Sequence, residues 1–356
     1  MTRRTDFQTL EQQLRELPAC ERTDEWPTAQ FEALKQAGGL RWNIGPEFGG
    51  DGLSSAEMLS LYRQLASASL VTTFILTQRN AACQRIALAR ESDLRTKLLT
   101  QLCEGAIFST VGISHLTTSR QHLKSPPVSV TVDGSDYVLN GVVPWATGAT
   151  MADVLVTGGT LFDQTQILAA IPAHRAGVSV GKPVEMLALN SSQTGAIHLQ
   201  NVRISAEEVL HGPVEKVMSQ GAGGGAGSLG TSALAIGAAE GTIRQFEVEV
   251  EKRPELAEFI LPLKAEANRL VLELERAAEA TQDAGTQATE VLRRDANSLV
   301  TRSAQVWLAA TKGAGFIAGH PAERAVRESM FFMVWSCPQP VLNANLKELS
   351  CRLNDE

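Results

Sequence analysis

No apolar run in the 356 residues approaches the ~18 residues of a membrane span. Cysteine is sparse: Cys20, Cys83, Cys103, Cys337 and Cys351, an odd number with no CxxC pair. That scatter argues against a disulfide framework and against a structural zinc, so no metal is expected. Positive charge is also short, with 32 Lys and Arg against 39 Asp and Glu, a net charge of −7. Phosphate backbones are held by clustered Lys and Arg, so nucleic acid is not an expected partner. The opening Met1-Thr2-Arg3-Arg4-Thr5-Asp6 lacks the apolar core of a secretion signal. The expectation is a cytoplasmic protein with a small-molecule partner and no membrane contact.

What is present is ordinary for a globular chain, with 44% hydrophobic and 20% charged residues. The length exceeds what one core usually covers, so two or three domains are expected. Periodicity divides the chain at about residues 104 and 213. Residues 1–104 read as helical; Ser54-Ser55 is a plausible N-cap for a helix over 56–65, and 93–102 is a further amphipathic segment. Residues 105–213 switch to period two. Val128, Val130 and Val132 alternate with Ser129 and Thr131, then Asp133-Gly134-Ser135-Asp136 turns the chain into Tyr137-Val138-Leu139, a hairpin signal. Strands follow at 154–156, 167–171 and 196–202, which predicts an antiparallel barrel-like domain. Residues 214–356 return to helical period. Leu263, Ala267, Leu270, Leu274 and Ala277 mark one seam; Leu292, Ala296, Leu299, Ser303, Val306 and Ala310 mark another. Gly285 and Gly313 end these helices, so the pattern predicts a bundle rather than a coiled coil. The run 221–227 (Gly-Ala-Gly-Gly-Gly-Ala-Gly) reads as a junction; no Lys-Ser/Thr follows it, as a phosphate cradle needs.

Several motifs resemble those of the acyl-CoA dehydrogenase family. Residues 40–54, through Pro46-Glu47-Phe48-Gly49-Gly50-Asp51-Gly52-Leu53, resemble "iPeeyGGxGls"; their glycines suit a tight turn. Residues 137–149, through Asn140-Gly141-Val142-Val143-Pro144-Trp145-Ala146-Thr147, resemble "yxlnGxKxWiTna". Residues 187–194 and 201–204 resemble "lGxrxSxT…f..V.vP"; Lys312-Gly313-Ala314-Gly315-Phe316 resembles "GGxGy"; and 321–328 resemble "PxerxxRD". Their order covers about residues 30–350. The resemblance implies an α+β fold: an N-terminal helical domain, a middle antiparallel β-barrel and a C-terminal four-helix bundle. It also implies FAD (or FMN) and a homo-oligomer, a dimer or tetramer.

By that match Trp145 covers the isoalloxazine ring and Thr147 bonds near the atom that takes hydride. The loop Ile113 to Arg120 stands where the family has "TEPgaGSD"; its hydroxyls, Ser114 and Thr118 among them, remain flavin contacts by position. His115 is either an acid–base group at the ring or a solvated loop histidine. Arg253 aligns with an arginine that holds the cofactor's adenosine half across a subunit interface, or else it caps its own helix. Gly313 belongs to the same adenosine region, where Ala309 stands in place of a glutamine. Gln78, Arg79 and Ser192 fall where the family lines its acyl pocket; alternatively Thr77-Gln78-Arg79-Asn80 face solvent at a helix bend.

The two places from which the family's glutamate removes the α-proton fall on Ser336 and Gly227, neither a carboxylate. Glu240, one turn beyond Gly237, is a weak substitute, and Cys337 reads as a buried apolar cysteine. Three functions stay open: a flavin oxidoreductase on an acyl-CoA or other small acyl substrate with a displaced base, a reduced-flavin monooxygenase or oxidase, and a non-catalytic flavin-binding scaffold.

Overall fold

A computed structural model describes residues 3–18, 21–117, 125–219, 229–279, 286–337 and 339–350. The 221–227 junction, Gly285, Gly227 and Thr118 lie outside them. Five helices come first: α1 (Arg3–Glu16), α2 (Thr28–Gln36), α3 (Ser55–Ala66), α4 (Leu70–Ala87) and α5 (Asp93–Glu104). Ser54 does cap α3: its hydroxyl accepts from the Glu57 amide at 3.3 Å and the Glu57 carboxylate accepts from the Ser54 amide at 2.8 Å. Ahead of it the chain doubles back, with Gly52 N–H donating to Ile44 O at 2.8 Å and Leu53 N–H to Trp42 O at 2.8 Å. Gly49 is left-handed at φ 83°, and a Cβ on Gly50 would stand 2.0 Å from the Ile44 carbonyl oxygen.

The strands are β1 (Ser109–Gly112), β2 (Val128–Asp133), β3 (Asp136–Ala146), β4 (Val154–Thr160), β5 (Gln166–Pro172), β6 (Val178–Val180), β7 (Gly195–Ile204) and β8 (Val209–Val214). They form one sheet in the order β6-β7-β3-β2-β4-β5-β8, with β1 alongside β4. The expected 128–139 hairpin is present, pairing Val130 with Leu139. The sheet is mixed, not purely antiparallel: β1 and β4 run parallel, and β2 meets β4 in parallel at Ser129. Alternation within a strand reports which face is buried and not the direction of its neighbour, so the parallel pairs left no trace in the pattern.

The C-terminal bundle comprises α6 (Leu229–Lys252), α7 (Ala257–Glu279), α8 (Thr286–Gly315), α9 (Pro321–Val334) and the shorter α10 (Gln339–Ser350). Close to its expected end at Gly313, α8 kinks at Lys312. The bundle does not stand alone. Phe74 and Ile75 of α4 share one buried cluster with Phe246, Leu270, Leu299 and Phe332, while Ala82, Cys83 and Ile86 of the same helix pack on Val154, Val156 and Leu168. A helix apolar on several sides must be enclosed, and α4 is held between bundle and sheet. Two glycines let α6 reach α3: a Cβ on Gly237 would lie 2.0 Å from Arg63 O, and one on Gly241 2.5 Å from Ser67 O.

Candidate functional site

The site is built where β3 ends. Pro144 cannot donate to the ladder, and the β3–β7 register shifts between Val143 and Ala146. The shift leaves Ala146 buried while Trp145 keeps 47% of its surface exposed. Thr147 follows, buried, and its backbone carbonyl accepts from Thr110 Oγ1 at 2.6 Å. Its hydroxyl lies 3.1 Å from Thr194 Oγ1, which lies 2.8 Å from Ser192 Oγ. Gly148 N–H donates to Ser192 O at 2.8 Å, and the Thr150 hydroxyl bonds Gln193 Oε1. Thus Ser192, 45 residues on from Thr147, joins Trp145 and Thr147 in one locus. Thr110 is the addition that sequence reasoning missed: nothing in β1, Ser109-Thr110-Val111-Gly112, sets its hydroxyl apart from that of Ser109.

The segment bearing Ser192 is held in an uncommon backbone state. Leu189 and Gln193 have φ of 62° and 47°, left-handed without being glycine, and flank the turn Asn190–Ser192. Asn190 Oδ1 accepts from Met186 N–H at 2.7 Å, and its amide donates to Met186 O at 3.0 Å. Arg327 of α9 donates to Leu187 O at 3.2 Å and pairs with Glu21 at 2.7 Å, which ties the segment to the bundle.

His115 is not a solvated loop residue: it is buried, with Nε2 2.9 Å from Gly158 O on β4. Ser114 opens the same short turn and is half-buried. Arg79 and Asn80 neither line a solvent-open pocket nor sit at a helix bend, since α4 runs unbroken through them. Arg79 is fully buried, donating to Asn80 Oδ1 at 3.0 Å and to Leu102 O; Asn80 donates to Tyr62 Oη at 2.8 Å. Buried polar groups must find partners, and these stitch α4 to α3 and α5. Gln78 is half-buried and donates to Thr77 Oγ1 at 3.1 Å. Arg253 follows α6 and pairs with Glu249 at 3.1 Å; Gly313 faces open space.

Ser336 follows the last turn of α9 with a left-handed φ of 44°. The residue before it belongs to an aromatic cluster: Trp335 stacks on Phe331 at 4.8 Å, and Phe74 meets both rings edge-on, at 5.0 Å and 4.9 Å. The turn is fixed from below by Arg293, whose Nη2 donates to Trp335 O at 3.0 Å and Phe332 O at 3.3 Å, while Asn297 donates to Phe332 O at 3.1 Å. Burial pulls the Arg293 pKa down to about 10 and pushes the Cys337 thiol up. Glu240 is committed elsewhere: both its oxygens accept from Arg63 Nη1 at 2.6 Å, and burial raises its pKa against that pairing.

The ring end of a flavin fits these residues on one observation: the Trp145 indole is uncovered beside a buried, hydroxyl-lined Thr147. No group of three or more metal-ligating side chains occurs among the described residues. No helix of the described residues is long and apolar enough to cross a membrane.

Residues 1–106 match the family described as acyl-CoA dehydrogenase, N-terminal domain. The dibenzothiophene monooxygenase of Rhodococcus qingshengii is 26% identical over 192 residues, 52% of this chain and 45% of that protein. The chain therefore spans about half the length of that relative. The acryloyl-CoA reductase (NADH) of Anaerotignum propionicum is 24% identical over 340 residues, 88% of this chain and 84% of the other. The solved structure of butyryl-CoA dehydrogenase from Megasphaera elsdenii superposes with a TM-score of 0.80 at 18% identity, covering 98% of both chains. That likeness shows the fold.

Proposed function

We propose that this chain, acyl-CoA dehydrogenase-like in its N-terminal family match and its fold, is a flavin-dependent oxidoreductase working without an α-proton base, as a reduced-flavin monooxygenase or oxidase. The observation that carries the reading is the turn at Ser336. By the family match it stands where a glutamate removes a proton from carbon, and here it is a serine that directly follows Trp335, whose ring packs with Phe331 and Phe74. A hydroxyl is far too weak a base for that step, and Glu240 is bound to Arg63. The aromatic cluster suits an apolar, planar substrate. Relatives of both kinds, a monooxygenase and a reductase, are compatible with the reading.

FAD is the proposed cofactor, supplying electron transfer and, once reduced, reaction with oxygen. Trp145 would cover one face of its ring, Thr147 and Ser114 would bond its edge, and Ser192 would hold Thr194 and so Thr147 in place. Arg253 would reach the adenosine half bound mainly by a second subunit. A symmetric homo-oligomer, most simply a dimer or tetramer, is part of the proposal. Exposed Phe259, Leu261 and Leu272 on α7 supply apolar surface for it.

The test is reconstitution with excess FAD or FMN, desalting and an absorption spectrum. About one flavin per chain is expected, lost in Trp145→Ala and kept in Trp145→Phe. Colourless protein with both cofactors would overturn the reading.

A further inference from the structure

Arg327 stands one turn past Glu323 on α9, and every nitrogen of its guanidinium group is engaged. Nε and Nη2 donate to the two Glu323 oxygens, and Nη2 also donates to Glu21 at 2.7 Å. The remaining nitrogen, Nη1, donates to Leu187 O at 3.2 Å. Two carboxylates therefore fix the plane of the group, and the fixed plane aims its last donor at one carbonyl. Glu21 belongs to a segment that is itself anchored. Further along it, Trp26 packs edge-on against Phe108 at 5.5 Å, and a Cβ on Gly148 would lie 3.2 Å from the indole.

Leu187 lies within a loop closed by the Asn190 side chain, which bonds both the amide and the carbonyl of Met186. The turn Asn190–Ser192 leaves that loop directly, between left-handed Leu189 and Gln193. Residues other than glycine keep that backbone state only where their surroundings enforce it. Burial of Ala188 and Leu189 in the bundle cluster is one restraint, and Arg327 is a polar one.

Resting on the flavin reading of the Trp145–Thr147 locus, we propose that Arg327 is a positioning residue: it holds the Ser192 turn so that Thr147 offers its hydroxyl proton outward. Each hydroxyl has one proton to give. For Thr147 to donate to a flavin edge, the 3.1 Å contact must run from Thr194 to Thr147, and the 2.8 Å contact from Ser192 to Thr194. Without the Ser192 donor, Thr194 is left to accept from Thr147, whose proton then turns inward. A donor at the ring edge favours the electron-rich reduced flavin over the oxidised form. Releasing the turn should therefore weaken flavin binding and lower the midpoint potential.

The experiment compares the full-length parent with Arg327→Gln and with Arg269→Gln, an α7 control that also loses ion pairs, to Glu273 and Asp295. Three quantities are read: amide hydrogen exchange over residues 186–194, flavin affinity and flavin midpoint potential. The reporting amides are Met186, Ser192 and Gln193, bonded to the Asn190 side chain, Leu189 O and Asn190 O. In Arg327→Gln their exchange should quicken and flavin affinity fall by roughly tenfold, the scale of one hydrogen bond to a charged group, with a lower potential. Arg269→Gln should match the parent in all three. If Arg327→Gln fails to fold, Glu21→Gln is read in its place, with the same directions expected. Unchanged exchange in the folded variant, quickened exchange with parental affinity and potential, or equal changes in Arg269→Gln overturns the proposal. A parent that takes up no flavin overturns the flavin reading instead, and the exchange comparison, which needs none, still decides whether Arg327 holds the turn.

Discussion

Arg293 Nη2 donates to the carbonyl of Trp335 at 3.0 Å, from a side chain with no solvent exposure, 42 residues earlier in the chain. The contact places a cation at the C-terminal end of α9, where unsatisfied carbonyls gather, and fixes the turn that carries Ser336. Its Nε and Nη1 have no hydrogen-bond partner among the described residues. Removing the side chain leaves a void and the Trp335 carbonyl without this donor. Arg293→Ala should therefore cost about 3–5 kcal/mol in denaturant unfolding. A loss below about 1 kcal/mol would mean that the turn holds itself.

The Thr147–Thr194–Ser192 hydroxyl chain supports a second expectation. Thr147→Val keeps the shape but deletes the hydroxyl 3.1 Å from Thr194. It should lower stability by about 1–2 kcal/mol and weaken flavin retention, while Thr147→Ser restores both. Equal flavin content in all three proteins would show the hydroxyl to be structural only.

Two bundle glycines should respond in opposite directions to the same change. At Gly237 a methyl would stand 2.0 Å from the Arg63 carbonyl oxygen, so Gly237→Ala must push α6 off α3. The expected loss is about 3 kcal/mol or more. At Gly313 a methyl meets nothing within 4 Å, and Gly313→Ala should be neutral or stabilise by about 0.5–1 kcal/mol. Thermal melts of the pair check the helix crossing directly.

Glu328 sets a pH dependence. Burial raises its pKa above the ordinary 4.5, with Arg324 opposing. The folded chain therefore holds that proton more tightly than the unfolded chain does. Stability from this group is present below pH 4.5 and is lost as pH rises through the raised value. Glu328→Gln removes the loss, so its melting temperature should gain on the parent's as pH climbs from 4.5 and level off once pH has passed the raised value. A gap that stays constant with pH would contradict the assignment.

Much of the fold was legible because its signals are local. Ser54 and Glu57 stand in the spacing of a capping box, and Val128 to Val132 alternate as a strand with one buried face. Trp145, Thr147 and Ser192 were singled out through motif order, and folding brings their segments together. The direction of the β1–β4 pairing was not legible, because buried parallel and antiparallel strands can share one composition. Arg79 and His115 looked available for chemistry because sequence shows residue type without its partners; Leu102 O and Gly158 O, which bind them, lie 23 and 43 residues away. The Arg327 junction joins Glu21 to Leu187, and no single window contains it.

The central claim is that flavin chemistry here proceeds without a base at Ser336, and anaerobic mixing of the flavin-loaded protein with saturated acyl-CoA thioesters tests it most directly. General-base catalysis is typically worth ~10²–10⁴-fold, so the flavin band should not bleach appreciably. Chemical reduction followed by oxygen and an apolar aromatic substrate should then give substrate-dependent oxygen consumption. Rapid bleaching by acyl-CoA thioesters would contradict the account and restore a dehydrogenase whose base lies elsewhere.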